Sequence, residues 1–412
     1  MQRLISLVFF ILLSFTLTAA SSLAAEIQEK DLAILLPLDP DSSLSFQNAK
    51  GSLFPQTWFD AAVRTFQRTP VKSALADESP FDSWRLVAVR VEPCQPVGRA
   101  AFQQLDVMCW PELRLVWQSV QTQKVFSGVT LPIAADDRAF HATYRIDPRL
   151  VLDSQGAQNA ERNLGTLESM VGSISGYFSL LSENEDEFTR ARDQVSQAFI
   201  ADALALRGSA AVWNDEAFKL NGLRPEMTAS SLEKEAFETK LNDFLLKWAS
   251  PSSLVKLTAF SLPEGRRSKE SGQWTFAQFK GDRGGITEEP IILWNFKSNI
   301  PFFFGESFLT GTSDRDDDAF YKMGPSDQSK VKDSVILTGA DAARLVPIFS
   351  DPHASQVPNV SCVSCHRLTP GLPFNLHSLS YFQNRPISVS TRVENDVKRA
   401  MKWLETQTKT AP

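Results

Sequence analysis

Histidine is scarce in this chain of 412 residues: there are four copies, His141, His353, His366 and His377. So small a supply excludes most chemistry built on clustered imidazoles. No His-Glu-x-x-His pair is present for a zinc protease, and a Ser-His-Asp triad has almost no candidates. A Gly-x-Ser-x-Gly elbow and a glycine-rich loop able to cradle phosphate are missing too. Basic residues number 42 against 48 acidic ones, for a net charge of −6. Without a basic excess, neither nucleic acid nor an anionic membrane surface is expected as a partner. After the N-terminal segment, no stretch approaches the ~18 uninterrupted apolar residues of a membrane span. Repeats at solenoid or propeller periods are also lacking.

The N-terminal segment reads as an address. Arg3 is the only charge before Glu26, and Leu4 to Leu13 is apolar except for Ser6. Ser22-Leu23-Ala24 supplies small residues at the spacing a signal peptidase reads, so residues 1–24 are expected to be a secretory signal cleaved after Ala24 or one residue later. The alternative is an uncleaved anchor, for which the apolar part is short. Cleavage would leave an exported, periplasmic chain of bacterial type with no membrane span. Its length fits two or three domains, and its 43% apolar content, with 29 Phe and 9 Trp, is enough for a proper core.

Periodicity divides the rest. Residues 25–150 read as a β-rich domain, with strand alternation at Arg85–Val91, Leu113–Trp117 and Phe140–Ile146 and one short helix over Asp60–Gln67. Residues 151–250 read as mainly helical: Phe188, Ala191, Val195 and Phe199 share one face, and Phe237, Leu241, Phe244 and Leu245 another. Strand signals return at residues 254–260, 274–279 and 291–296, inside an antiparallel segment assigned to 251–345. Residues 346–412 are rich in Pro, His and Cys and end in a helix over Glu394–Glu405. The fold class expected is α+β.

Four cysteines occur. Cys94 and Cys109 lie 15 positions apart in the β-rich part and, in an oxidising compartment, read as a disulfide; two buried free thiols are the alternative. The other two belong to Cys362-Val363-Ser364-Cys365-His366. Two thiols with two residues between them can add across the vinyl groups on one porphyrin edge, and the adjacent imidazole then falls beneath the iron. At this composition the five-residue pattern arises by chance in roughly 4 of ten thousand chains. A small strained disulfide and a zinc site are the competing readings, and the zinc site lacks a second ligand pair at the expected spacing. Asp314-Arg315-Asp316-Asp317-Asp318 has alternating carboxylates without the Gly and downstream Glu of a full calcium loop, and reads as a solvated acidic turn.

Residues 362–366 resemble the attachment site of the c-type cytochromes. The resemblance covers these five residues and extends at most to Thr369–Pro373, whose Pro-containing loop is similar to one that offers a carbonyl to the proximal imidazole in that family. It implies one covalent haem c, thioether links at Cys362 and Cys365, and proximal ligation by His366. The remaining chain resembles no named family. It also departs from the small cytochromes in having one Met after the motif, Met401, inside an amphipathic stretch where core packing is the natural role. The sixth iron ligand is open between His377, 11 residues after His366, and His353, 9 residues before Cys362, with Met323 a weaker candidate and an empty position the remaining one. His141 lies in a strand pattern and reads as structural. The expected function is single-electron transfer with an unidentified redox partner protein. The alternatives are a five-coordinate haem enzyme of peroxidase or oxidase type, a haem-based sensor, and a binding role carried by the N-terminal part.

Overall fold

The alternation seen at Arg85–Val91 belongs to a longer strand, and its neighbours extend in the same way. A computed structural model of the chain describes residues 27–39, 41–48, 50–67, 80–96, 109–119, 121–124, 130–133, 139–169, 174–208, 220, 222–261, 275–282, 285–289, 291–294, 320–323, 389 and 391–410. Strands β1 (Ala33–Leu35), β2 (Trp84–Pro96), β3 (Cys109–Ser119), β4 (Ala139–Arg145), β5 (Leu254–Ser261), β6 (Thr275–Asp282) and β7 (Gly285–Glu289) build one seven-stranded sheet. Every pairing is antiparallel and spatial order follows chain order, so the sheet is a meander. Three two-stranded ribbons lie outside it, pairing 47–48 with 51–52, 121–124 with 130–133, and 291–294 with 320–323.

Seven α-helices accompany these strands among the described residues: α1 (Glu29–Leu32), α2 (Gln56–Gln67), α3 (Ser154–Ser169), α4 (Ile174–Leu204), α5 (Pro225–Thr228), α6 (Ser231–Trp248) and α7 (Thr391–Thr410). The fold is α+β. Helices α3 to α6 interrupt the meander between β4 and β5, yet those strands pair directly, from Ala139 with Phe260 to Tyr144 with Leu254. Strands from residues 25–150 and from 251–345 therefore share one sheet, and the helical segment is an insertion into it. Local sequence sets the helix starts. Ser230 caps α6 by accepting from the Glu233 amide while the Glu233 carboxylate accepts from the Ser230 amide. Helix α2 begins four residues before the expected Asp60, because the Pro55 carbonyl accepts from the Trp58 and Phe59 amides and starts the turn there.

Alternation gives the sheet two unlike faces. Val89, Val91, Leu113, Leu115, Trp117, Phe140, Ala142, Tyr144, Leu257, Ala259, Ala277 and Phe279 are all buried and point to one side. Phe46 sits at the centre of an aromatic cluster on that side. Its ring stacks on Phe54 at 4.2 Å and meets Trp117 edge-on at 5.0 Å, while Trp84 meets Phe140 edge-on at 4.5 Å. Tyr144 donates its buried hydroxyl to the Leu53 carbonyl at 2.7 Å, which ties this cluster to the sheet. Toward the other end, α4 crosses β2 and β3, and Phe199 stacks on Phe244 of α6 at 5.7 Å. Gly281 of β6 is needed for a close approach: a Cβ there would stand 2.8 Å from the Leu254 carbonyl oxygen and 2.9 Å from the Trp58 ring.

The opposite face is polar: Arg90, Glu92, Glu112, Arg114, His141, Thr143, Lys256, Thr258, Gln278 and Lys280 alternate with the core residues. Helix α7 packs against β2 and α1. A separate buried charge cluster closes the α1 end. Arg224, fully buried, lies 3.2 Å from Glu226 and 3.6 Å from Asp31, and its guanidinium stands 5.0 Å from the Phe237 ring centre. Asp31 is also bonded to Arg207 at 2.5 Å. Among the described residues no helix is long and apolar enough to cross a membrane.

The aromatic cluster makes a direct prediction. Phe46→Ala should lower the urea unfolding free energy by ~3–5 kcal/mol, since every ring around it would border a cavity. Leu232→Ala, at a side chain 75% exposed, should change it by less than about 0.5 kcal/mol.

Candidate functional site

The candidate haem ligands Cys362, Cys365, His366, His353 and His377 lie outside the described residues, as does the acidic run Asp314–Asp318. Met323 is the last residue of the ribbon strand Phe320–Met323, where it pairs with Ile291. Cys94 and Cys109 are joined as a disulfide between the ends of β2 and β3, with Cα atoms 4.9 Å apart. Met401 packs partly buried against the main core, the role its amphipathic context predicts. Among the described residues no group of three or more His, Cys, Asp or Glu could hold a metal ion.

His141 occupies the polar face, between Val116 of β3 and Thr258 of β5. Although an edge of the side chain reaches solvent, burial pushes the imidazole down to about 4. It is therefore neutral near pH 7, consistent with a structural residue.

The described element nearest in sequence to the motif on its C-terminal side is α7, which begins at Thr391, 25 positions after His366. Its attachment to the sheet follows from two periodicities. On β2, Arg90 and Glu92 alternate with Val89 and Val91, so their side chains leave the opposite face. On α7, Arg392, Asp396 and Arg399 recur at spacings of four and three and so share one side. The two rows interlock. Arg90 bonds Asp396 at 2.5 Å and Glu92 at 2.7 Å; Arg399 reaches the same Glu92 oxygen at 3.2 Å; Arg392 bonds the other Asp396 oxygen at 3.1 Å. Glu92 and Asp396 are fully buried, while Arg90 and Arg399 keep about a tenth of their side chains exposed. Beside this network, Val397 and Ala400 are buried and join the main core.

Burial alone would raise the Asp396 carboxyl. The positive charges of Arg90, Arg392, Arg114 and Arg399 outweigh it and hold the group far below the usual carboxylate range. Burial likewise opposes the charge on Arg90, and its two carboxylate partners overcome that and raise it. Both partners stay ionised.

The other end of α7 rests on the disulfide. Trp403 and Leu404 pack against Cys94 and Cys109, and Arg399 donates to the Cys94 carbonyl and to Gln95 Oε1, each at 3.3 Å. From α4, the Arg192 guanidinium stands 5.5 Å from the Trp403 ring centre, with Nη1 3.8 Å from Cys109 Sγ. Sequence reasoning finds the bridge and the amphipathic helix but not the network joining them. The signal available was charge at alternate strand positions, matched by charge at helical spacing on α7. Nothing local shows that the two segments, 306 positions apart between Arg90 and Asp396, meet.

These charges predict how stability depends on pH. The native pKa of His141 is below its unfolded value, so unfolded chains bind more protons between about pH 6.5 and about pH 4. Its contribution should be intact above pH 6.5 and be lost progressively on acidification. His141→Gln should remove roughly 3 kcal/mol of that loss when unfolding is followed across the window. The depressed Asp396 acts lower, because its stabilisation is present above the unfolded carboxylate pKa near 4 and declines only below it. Asp396→Asn should cost ~3–5 kcal/mol at pH 7, by leaving Arg90 and Arg392 without their shared anion, and should flatten the acid limb. No family model matches this chain, and comparison with curated proteins and with solved structures finds no similar one.

Proposed function

We propose that this chain is an exported mono-haem c-type cytochrome that passes single electrons to and from a redox partner protein. The observation that carries the reading is Cys362-Val363-Ser364-Cys365-His366. Its donor set fits the group: two thiols at the separation of the two vinyl substituents, and an imidazole next to the second. Cys362 and Cys365 hold the porphyrin covalently, and His366 supplies the proximal nitrogen. A haem iron so held supplies a reversible one-electron couple. The polypeptide's part is to fix the ring, fill or leave open the distal position through His377 or His353, and set the polarity around it. A thioether ligand favours reduced iron, so two imidazoles would give a lower potential than imidazole with Met323.

Two further observations agree with export. The leader over residues 1–24 has the composition of a secretory signal, and the Cys94–Cys109 bridge is of the kind that persists in oxidising compartments. The C-terminal region 346–412 forms the haem-binding part in this reading, and α7 is its anchor on the sheet.

An optical spectrum of the purified protein, air-oxidised and dithionite-reduced, beside a haem-stained denaturing gel, tests this directly. Covalent haem with sharp reduced α and β peaks is the expected result, and Cys362→Ser/Cys365→Ser should abolish the stained band. His377→Ala or His353→Ala, whichever removes the distal ligand, should convert the spectrum from low to high spin. A high-spin spectrum in the unaltered protein would move the reading to a five-coordinate haem enzyme or sensor. An unstained band from a host that matures c-type cytochromes would overturn it.

A further inference from the structure

The disulfide is not an isolated staple, because the last helix rests on it. Cys94 and Cys109 are both buried, and their covering is Trp403 and Leu404 of α7. Arg399 is bonded to Glu92 on one side and, on the other, to two acceptors on Cys94 and Gln95. Arg192 spans the two parts, with its guanidinium against Cys109 Sγ and the Trp403 ring. We infer that Cys94–Cys109 is a redox latch: while oxidised it holds the C-terminal half of α7 on the sheet, and reduction releases that half.

The argument is steric first. Reduction replaces a bond of about 2 Å with a non-bonded contact of roughly 3.5 to 4 Å. Both cysteines are buried under Trp403 and Leu404, so separating the sulfurs pushes against that covering and against the ends of β2 and β3, which carry the Cys94 carbonyl and Gln95 that Arg399 holds. The N-terminal half of α7 is held separately, through Asp396 with Arg90 and Arg392, so release is confined to the end near the bridge. The chemistry has a preferred direction as well. When the Trp403 end of α7 lifts, a dithiol reductant attacks Cys94 Sγ, the S–S bond breaks, and Cys109 leaves as a thiolate near Arg192, which is also paired with Asp193 at 2.7 Å. The reductant's second thiol then displaces Cys94 from the mixed disulfide. The bridge gains two electrons and two protons and becomes two thiols, while the reductant becomes a disulfide.

The latch acts on α7 itself and holds whether or not residues 362–366 carry haem. Hydrogen–deuterium exchange of the full-length protein tests it, comparing oxidised protein, protein reduced with a phosphine (reduction of Cys94 and Cys109 verified by thiol alkylation), and the Cys94→Ser/Cys109→Ser variant. Peptides over residues 399–410 should exchange at least tenfold faster in both altered samples, with α6 unchanged and the slow rate restored on reoxidation. Unchanged exchange over 399–410 would overturn the latch. Equal acceleration over α6 would overturn it too, since the bridge would then stabilise the whole fold. If the variant fails to fold, the reduced protein decides. Haem content measured on the same samples separates the outcomes: a chain without haem whose α7 responds leaves the latch standing and removes the cytochrome reading alone.

Discussion

A carboxylate with no access to water stays ionised only if cations surround it, and Asp396 meets that condition with charges from two distant parts of the chain. Arg392 comes from its own helix and Arg90 from the second strand. Neither segment could bury its charge alone, since moving a lone carboxylate or guanidinium out of water costs several kcal/mol after relaxation. Burial of the strand's polar face near β2 and docking of the last helix are thus one event. Such a network contributes less to net stability than an apolar contact of equal size would. What it supplies is position: Arg90 bridges Glu92 and Asp396, so the helix has few other ways to lie on the strand.

Around that contact the fold divides its work between the two faces of one sheet. The core face is aromatic and aliphatic and is covered by α4, α6 and the Phe46–Phe59 region. The polar face carries the charges and His141. The helical insertion between β4 and β5 contributes to the core face without disturbing the meander, because β4 and β5 remain hydrogen-bonded neighbours. The disulfide lies where the two coverings approach each other, with Arg192 of α4 and Trp403 of α7 in contact beside it.

Much of this could be read from local pattern. Leu113-Arg114-Leu115-Val116-Trp117 alternates, and its Leu113, Leu115 and Trp117 are the buried set. Phe188, Val195 and Phe199 share a helical face in the sequence and share the core in the structure. The bridge between Cys94 and Cys109 was legible from their spacing and from the expectation of an oxidising compartment. What could not be read is long-range: a strand's alternation does not name its partner, so β-rich stretches on either side of a helical region look like separate units until their pairing is known. Charges such as Arg90 and Glu92 look like an ordinary solvated edge when their partner is 300 residues downstream. For the candidate site the balance is reversed. The Cys-x-x-Cys-His pattern at 362–366 is wholly local, because the proposed chemistry needs two thiols and an imidazole within five residues, whereas a proposed distal ligand is a matter of three-dimensional approach.

The docking of α7 on β2 also imposes an order of events on the nascent chain. Arg90 and Asp396 are separated by 306 positions, and β4 must wait for β5 across the whole helical insertion before the meander can close. Loop closure over such distances is slow compared with forming a hairpin or a helix. A chain synthesised from its N-terminus presents β2 long before α7 is made, so Arg90 and Glu92 lack their α7 partners over that interval. Docking of α7, the twenty residues Thr391–Thr410, can only follow synthesis of every strand of the meander. The element that locks the sheet is therefore made after all seven of the strands it locks.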